Sequence, residues 1–195
     1  MKKHSIKSHL SPYLISQKRK TTINHAFASA IAPVDEYVEA TVGDALRLLG
    51  QNPDDDLSCV YCELPAETWD HLIGLVEKGE LRGYGHQLGN LVPCCKKCNS
   101  EKGAKDWVVY LEKKFPEPMA FAEKRGRIAS YRDRYAALVN LEHAKKQSPE
   151  DWALYGQINE EILMLMKKAD VVAARLHDTI KQSYEKQKPV GGSSA

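Results

Sequence analysis

Apolar residues recur at three- and four-residue spacing over long stretches of this chain, which predicts a mainly helical protein. The spacing from Thr22 to Ile31 suits a short helix ended by Pro33. A second helix is expected from Asp35 to Leu49, with Val38, Val42, Ala45, Leu46 and Leu49 on one face. Its acids lie near the start, where the helix dipole favours them, and Gly50 stops it. Residues 52–57, Asn-Pro-Asp-Asp-Asp-Leu, read as a solvated turn. A helix from Asp106 to Phe115 is closed by two prolines, Pro116 and Pro118. Further on, Ile128, Tyr131, Tyr135, Leu138 and Leu141 keep helical spacing, and Ser148-Pro149-Glu150-Asp151 is a strong helix start. The helix that follows carries Trp152, Tyr155, Ile158, Ile162, Leu165, Ala169, Val172, Leu176 and Ile180 along one stripe. These two long helices either fold back as a hairpin on the core or let the second pair with its copy in a homodimer. The stretch from Val76 to Leu88 holds three glycines and little apolar period, and reads as a loop joining two strands.

Charge adds an asymmetry that the net value of +2 conceals. Residues 1–34 hold Lys2, Lys3, Lys7, Lys18, Arg19 and Lys20 and no acid, whereas residues 35–58 hold seven acids against Arg47. The basic arm can track a DNA backbone or stay solvated. No apolar run approaches the roughly 18 residues of a membrane span, and no secretory signal is evident, so a cytoplasmic protein without membrane association is expected.

Candidate chemistry is concentrated between Cys59 and Lys105. Cys59/Cys62 and Cys95/Cys98 are two Cys-x-x-Cys pairs, each able to offer two sulfurs to one face of a tetrahedral Zn²⁺. The alternative is a set of buried or redox cysteines; a disulfide framework does not suit an intracellular chain. Cys94 adjoins Cys95 and competes for its place, but the repeated spacing favours Cys95 and leaves Cys94 as a small buried residue. The 32 residues between the pairs are more than most zinc ribbons hold, so an insert is expected there.

Four blocks in that span occur in a telling order: Cys59-Val-Tyr-Cys62, Thr68-Trp-Asp70-His71-Leu-Ile73, Gly89-Asn90-Leu-Val-Pro93, and Cys95-Lys-Lys-Cys98-Asn99-Ser-Glu-Lys102-Gly103. Together they resemble an HNH endonuclease of the zinc-containing ββα-metal type, over about a quarter of the chain, as a His-Asn-Asn variant. The resemblance implies a metal-dependent hydrolysis of phosphodiester bonds in DNA, leaving 5′-phosphate and 3′-hydroxyl ends, with RNA as a further possible substrate. It implies His71 as general base, Asp70 and Asn99 as ligands of one catalytic Mg²⁺ or Mn²⁺, and Asn90 as the residue that holds the base in orientation. Taken alone, Asn90 would be an ordinary turn asparagine. Zinc on the four cysteines would be structural, fixing the start of the helix that carries Asn99. Lys102, three residues beyond Asn99, is a candidate phosphate contact. Lys105 joins it in the nucleic-acid-binding set, on a basic rim with Lys96 and Lys97. His86 is either a further metal or phosphate contact or a solvated loop histidine. One tension is geometric: neighbouring strand residues face opposite ways, so the strand must end, twist or bulge at Asp70-His71.

The expected architecture is α+β and mainly α-helical. A basic arm spans 1–21, N-terminal helices 22–56, a central ββα-metal (HNH) module 57–116, a C-terminal long-helix hairpin 117–188 and a tail 189–195. The competing functional class is a non-catalytic zinc-containing DNA-binding or assembly protein that keeps the fold and does not cut.

Overall fold

The computed structural model describes Ile6 and residues 10–187; the first lysines of the basic arm and the tail lie outside the described residues. The fold is α+β and mostly helical, in two compact units. The larger is Asn24–Gln147, and the smaller joins Met1–Ile23 to Ser148–Ala195.

In the larger unit an antiparallel ribbon, β1 (Thr68–His71) with β4 (Leu91–Cys94), is followed at once by the helix α3 (Lys96–Lys102). The register pairs Asp70 with Val92 and His71 with Leu91. Tyr61, Leu72 and Val92 form the middle of the core. The helices α2 (Glu39–Leu48), α4 (Trp107–Lys114) and α5 (Pro118–Tyr135) cover it with Ala45, Trp107, Tyr110, Leu111, Ile128 and Tyr131. Full burial of aliphatic or aromatic side chains such as these contributes roughly 1.5–3 kcal/mol each. α4 starts where Asp106 accepts hydrogen bonds from the amides of Val108 and Val109. α5 starts where Glu117 does the same for Met119 and Ala120, with Pro118 in the first turn. The Tyr131 hydroxyl donates to the carbonyls of Leu88 and Leu91, tying α5 to the turn that precedes β4.

Three local expectations are corrected. The segment 76–88 contains a second small ribbon, β2 (Val76–Glu77) with β3 (Glu80–Leu81), closed by Lys78 and Gly79 at φ of 53° and 95°. Two consecutive positive φ values are what a two-residue hairpin turn needs, and Gly79 accepts one without strain. Asp35–Val38 is extended rather than helical, because Val34 bridges to His86 and the Asp35 carboxylate accepts the Leu88 amide at 2.7 Å. Finally, Leu138 and Leu141 do not continue the helix of Ile128 and Tyr131. The chain turns extended at Ala136, the Val139 amide donates to the Gly83 carbonyl at 2.9 Å, and a separate helix α6 (Leu141–Gln147) follows.

In the smaller unit α1 (Ile15–Ile31, which continues into the larger unit) begins seven residues before the expected start. The amides of Ile15 and Ser16 donate to the Asp170 carboxylate at 2.6 and 3.1 Å, an N-terminal cap supplied from a distant helix. That helix, α7 (Pro149–Gln187), has no buried residue. Its predicted stripe divides: Trp152, Tyr155, Ile162 and Ala169 are half-buried, while Leu165, Val172, Leu176 and Ile180 are exposed. No described helix is long and apolar enough to cross a membrane.

Candidate functional site

The first Cys-x-x-Cys pair lies on a tight turn and the second at the start of α3. In the first, the amides of Cys62 and Glu63 both donate to the Cys59 carbonyl, and Glu63 takes a φ of 62°. In the second, Cys95 caps α3 and its sulfur accepts the Cys98 amide at 3.4 Å. Because β4 leads straight into α3, both turns deliver their sulfurs to one place. The Sγ atoms of Cys59, Cys62, Cys95 and Cys98 lie within 4.8 Å of one another, with Cys62 and Cys95 at 3.7 Å. A tetrahedral ion with metal–sulfur bonds of about 2.3 Å needs sulfurs about 3.8 Å apart, so this set can hold a metal ion with little movement. Cys94 stays outside it: fully buried, its thiol donates to the Cys95 carbonyl at 3.3 Å. The five cysteines, all among the described residues, form no disulfide.

The strand puzzle at Asp70-His71 resolves without a bulge. β1 keeps regular alternation and ends at His71, and the two side chains part company. Asp70 points into the core, where its Oδ2 lies 3.0 Å from the Lys102 ammonium and 3.1 Å from the Tyr61 hydroxyl that donates to it. Asp70 is 6% exposed and Lys102 2%. Burial raises the Asp70 pKa, opposed by the charge and hydrogen bond of Lys102 and then by Tyr61. Lys102 also donates to the His71 carbonyl at 2.8 Å. A lysine so enclosed is unavailable to a phosphate on the surface; it joins α3 to β1 instead. The signal for this was weak, since spacing from Asn99 specifies a helical face and not what that face packs against. Tyr61, inside the first Cys-x-x-Cys, gave no signal of its contact with Asp70.

His71 turns the other way, toward His86, with Nε2 of the first 3.2 Å from Nδ1 of the second. Burial, then the neighbouring His86, Lys102 and His25, pushes the His71 imidazole from 6.5 down to about 4. The native fold therefore favours neutral His71, while the unfolded chain binds the extra proton between pH 6.5 and about 4. Folding stability should fall as pH drops through that window and be indifferent to this group above it. Urea unfolding midpoints at pH 7 and pH 5 should differ less in His71→Gln than in the unsubstituted protein.

Asn90 is fully buried and fully used. Its Oδ1 accepts the Ile73 amide at 2.8 Å, and its Nδ2 donates to the carbonyls of Ile73 and Gly85 at 3.1 and 3.0 Å. It thus clamps the segment after His71 to the segment before His86. Asn99, half-buried on α3, donates to the Trp69 carbonyl at 3.4 Å. Asp70, His71 and Asn99 are thus linked through the β1 backbone rather than side chain to side chain. Lys105 is exposed, its ammonium donating to the Glu101 carbonyl.

The two metal sets differ in fit. Four buried or half-buried sulfurs suit a soft or borderline ion such as Zn²⁺. Asp70 and Asn99 do not form a hard-cation site as placed, since both Asp70 oxygens already serve Lys102. Compared with models of protein families, with curated proteins and with solved structures, the chain matches none.

Proposed function

We propose that this chain is an HNH-type endonuclease that hydrolyses phosphodiester bonds in DNA, its four cysteines holding one structural Zn²⁺. The observation that carries the reading is the placing of His71, half-buried where the uncharged imidazole is favoured, at the end of a strand whose partner strand leads directly into the four-cysteine cluster and the α3 helix. The zinc would fix Cys95 and Cys98 and so set where α3 begins, placing Asn99 beside β1 and Lys102 beneath it. His71 takes the proton from an attacking water, a task that needs the uncharged ring. Asn90 keeps the backbone on both sides of that ring in register. Lys102 holds the His71 carbonyl and the Asp70 carboxylate in place, and Lys105 and the basic arm attract the nucleic acid backbone. The resemblance also brings a Mg²⁺ or Mn²⁺ on Asp70 and Asn99, but Asp70 would first have to give up its pairing with Lys102 before these two residues could hold a cation.

The buried Asp70–Lys102 pair favours a second reading, a zinc module that binds DNA and does not cut, because a cation at Asp70 would have to displace the ammonium. Supercoiled plasmid incubated with zinc-loaded protein decides between them. The nuclease reading predicts nicks that need added Mg²⁺ or Mn²⁺ and vanish with EDTA. A mobility shift with intact plasmid at every metal concentration sinks it.

A further inference from the structure

We propose that His86 is the positioning residue of the site: its Nδ1 accepts the hydrogen on His71 Nε2, which leaves His71 Nδ1 as the nitrogen that receives the proton. This rests on the reading of His71 as the base. At 3.2 Å between Nε2 and Nδ1 a single hydrogen lies between the rings, so one donates and the other accepts. If His71 Nε2 accepted, its own hydrogen would sit on Nδ1 and neither nitrogen would be free to take a proton from water. Only the tautomer with His71 as donor keeps a basic lone pair. The rings are steeply inclined, centroids 5.1 Å apart and 65° between planes, which rules out a parallel stack and leaves the close N···N approach as their contact.

The rest of the loop is built to hold His86 there. Its amide donates to the Pro33 carbonyl at 2.8 Å, and its carbonyl accepts from Asp35 at 3.3 Å. Gly85, just before it, runs so close to Pro33 that a Cβ would sit 2.1 Å from the Pro33 carbonyl oxygen. On the other side Asn90 bonds Gly85 and Ile73 together, so one buried amide sets the spacing between the backbones that carry the two imidazoles. A solvated loop histidine needs none of these ties.

The contact is through Nδ1, which makes the test sharp. An asparagine Oδ1 can stand where histidine Nδ1 stands, whereas a glutamine amide reaches the position of Nε2. His86→Ala should lose about 10²-fold in kcat for plasmid nicking with KM little changed. His86→Asn should recover most of that loss, and His86→Gln should resemble His86→Ala. In zinc-loaded full chain labelled with ¹⁵N-histidine, at pH 7, His71 should show the Nε2–H tautomer in wild type and His86→Asn, and a mixture in His86→Ala. An Nδ1–H tautomer in wild type, or an asparagine variant as slow as alanine, overturns the proposal. Wild-type protein that cuts nothing overturns the nuclease reading alone; the tautomer spectrum then decides the pair by itself.

Discussion

Cys98→Ser, or removal of metal by a strong chelator, is expected to unfold the Asn24–Gln147 unit. Metal binding to structural cysteine sites is worth about 10–16 kcal/mol at pH 7, against a net folding stability of about 5–15 kcal/mol for a typical domain. Here the metal turn lies inside the main core: Cys59, Cys95 and Cys98 pack with Tyr61, Trp107 and Tyr110. Without the ion the four thiols lose the bond that joins the first turn to α3, and the ribbon of only four residues per strand has little else to align it. The signal at 222 nm and the metal content should fall together, in a ratio of one zinc per chain. Cys94→Ala is the control. It removes a buried sulfur outside the ligand set, so metal content should hold at one equivalent.

Lys102→Met should cost about 3–5 kcal/mol of stability, because it strands the Asp70 carboxylate in the core without its countercharge. The effect is one of desolvation: at 6% exposure, water cannot replace the ammonium. Pairing the substitution with Asp70→Asn should recover a large part of the loss, with a coupling of about 1–3 kcal/mol in a double-mutant cycle read by urea unfolding at pH 7. Strictly additive losses would mean that the two groups act independently, contrary to their 3.0 Å separation. Tyr61→Phe, which removes one hydrogen bond and leaves the ion pair, should cost less than either single charge change.

How much of this was legible in the sequence depended on whether the information was local. The two cysteine pairs, their preferred membership and the exclusion of Cys94 followed from spacing, because a two-residue gap is itself the geometry of a metal turn. The caps at Asp106 and Glu117 act within three residues, and the helices α4 and α5 begin next to them, as the prolines and apolar spacing suggested. Long-range ties were not legible. Residues 15–21 carry no apolar period, and their helix starts there because Asp170, some 155 residues away, caps it. Lys102 sits on the helical face that its spacing from Asn99 implies, yet whether that face meets solvent or Asp70 is decided by how α3 lies on β1. His86 read as a loop residue because its partners, Pro33, Asp35 and His71, come from segments that no periodicity connects to it. The Lys78-Gly79 hairpin is local and was still missed: two-residue strands are too short to show alternation, and the turn glycine was the clue.

The most direct test of the nuclease account is the nicking rate of zinc-loaded His71→Ala against that of wild type, on supercoiled plasmid with saturating Mg²⁺ or Mn²⁺ and with matched metal content and melting behaviour. Loss of a general base predicts a rate lower by about 10²–10⁴-fold. Equal rates in the two proteins would contradict the assignment of His71, and with it the account of how this site cuts.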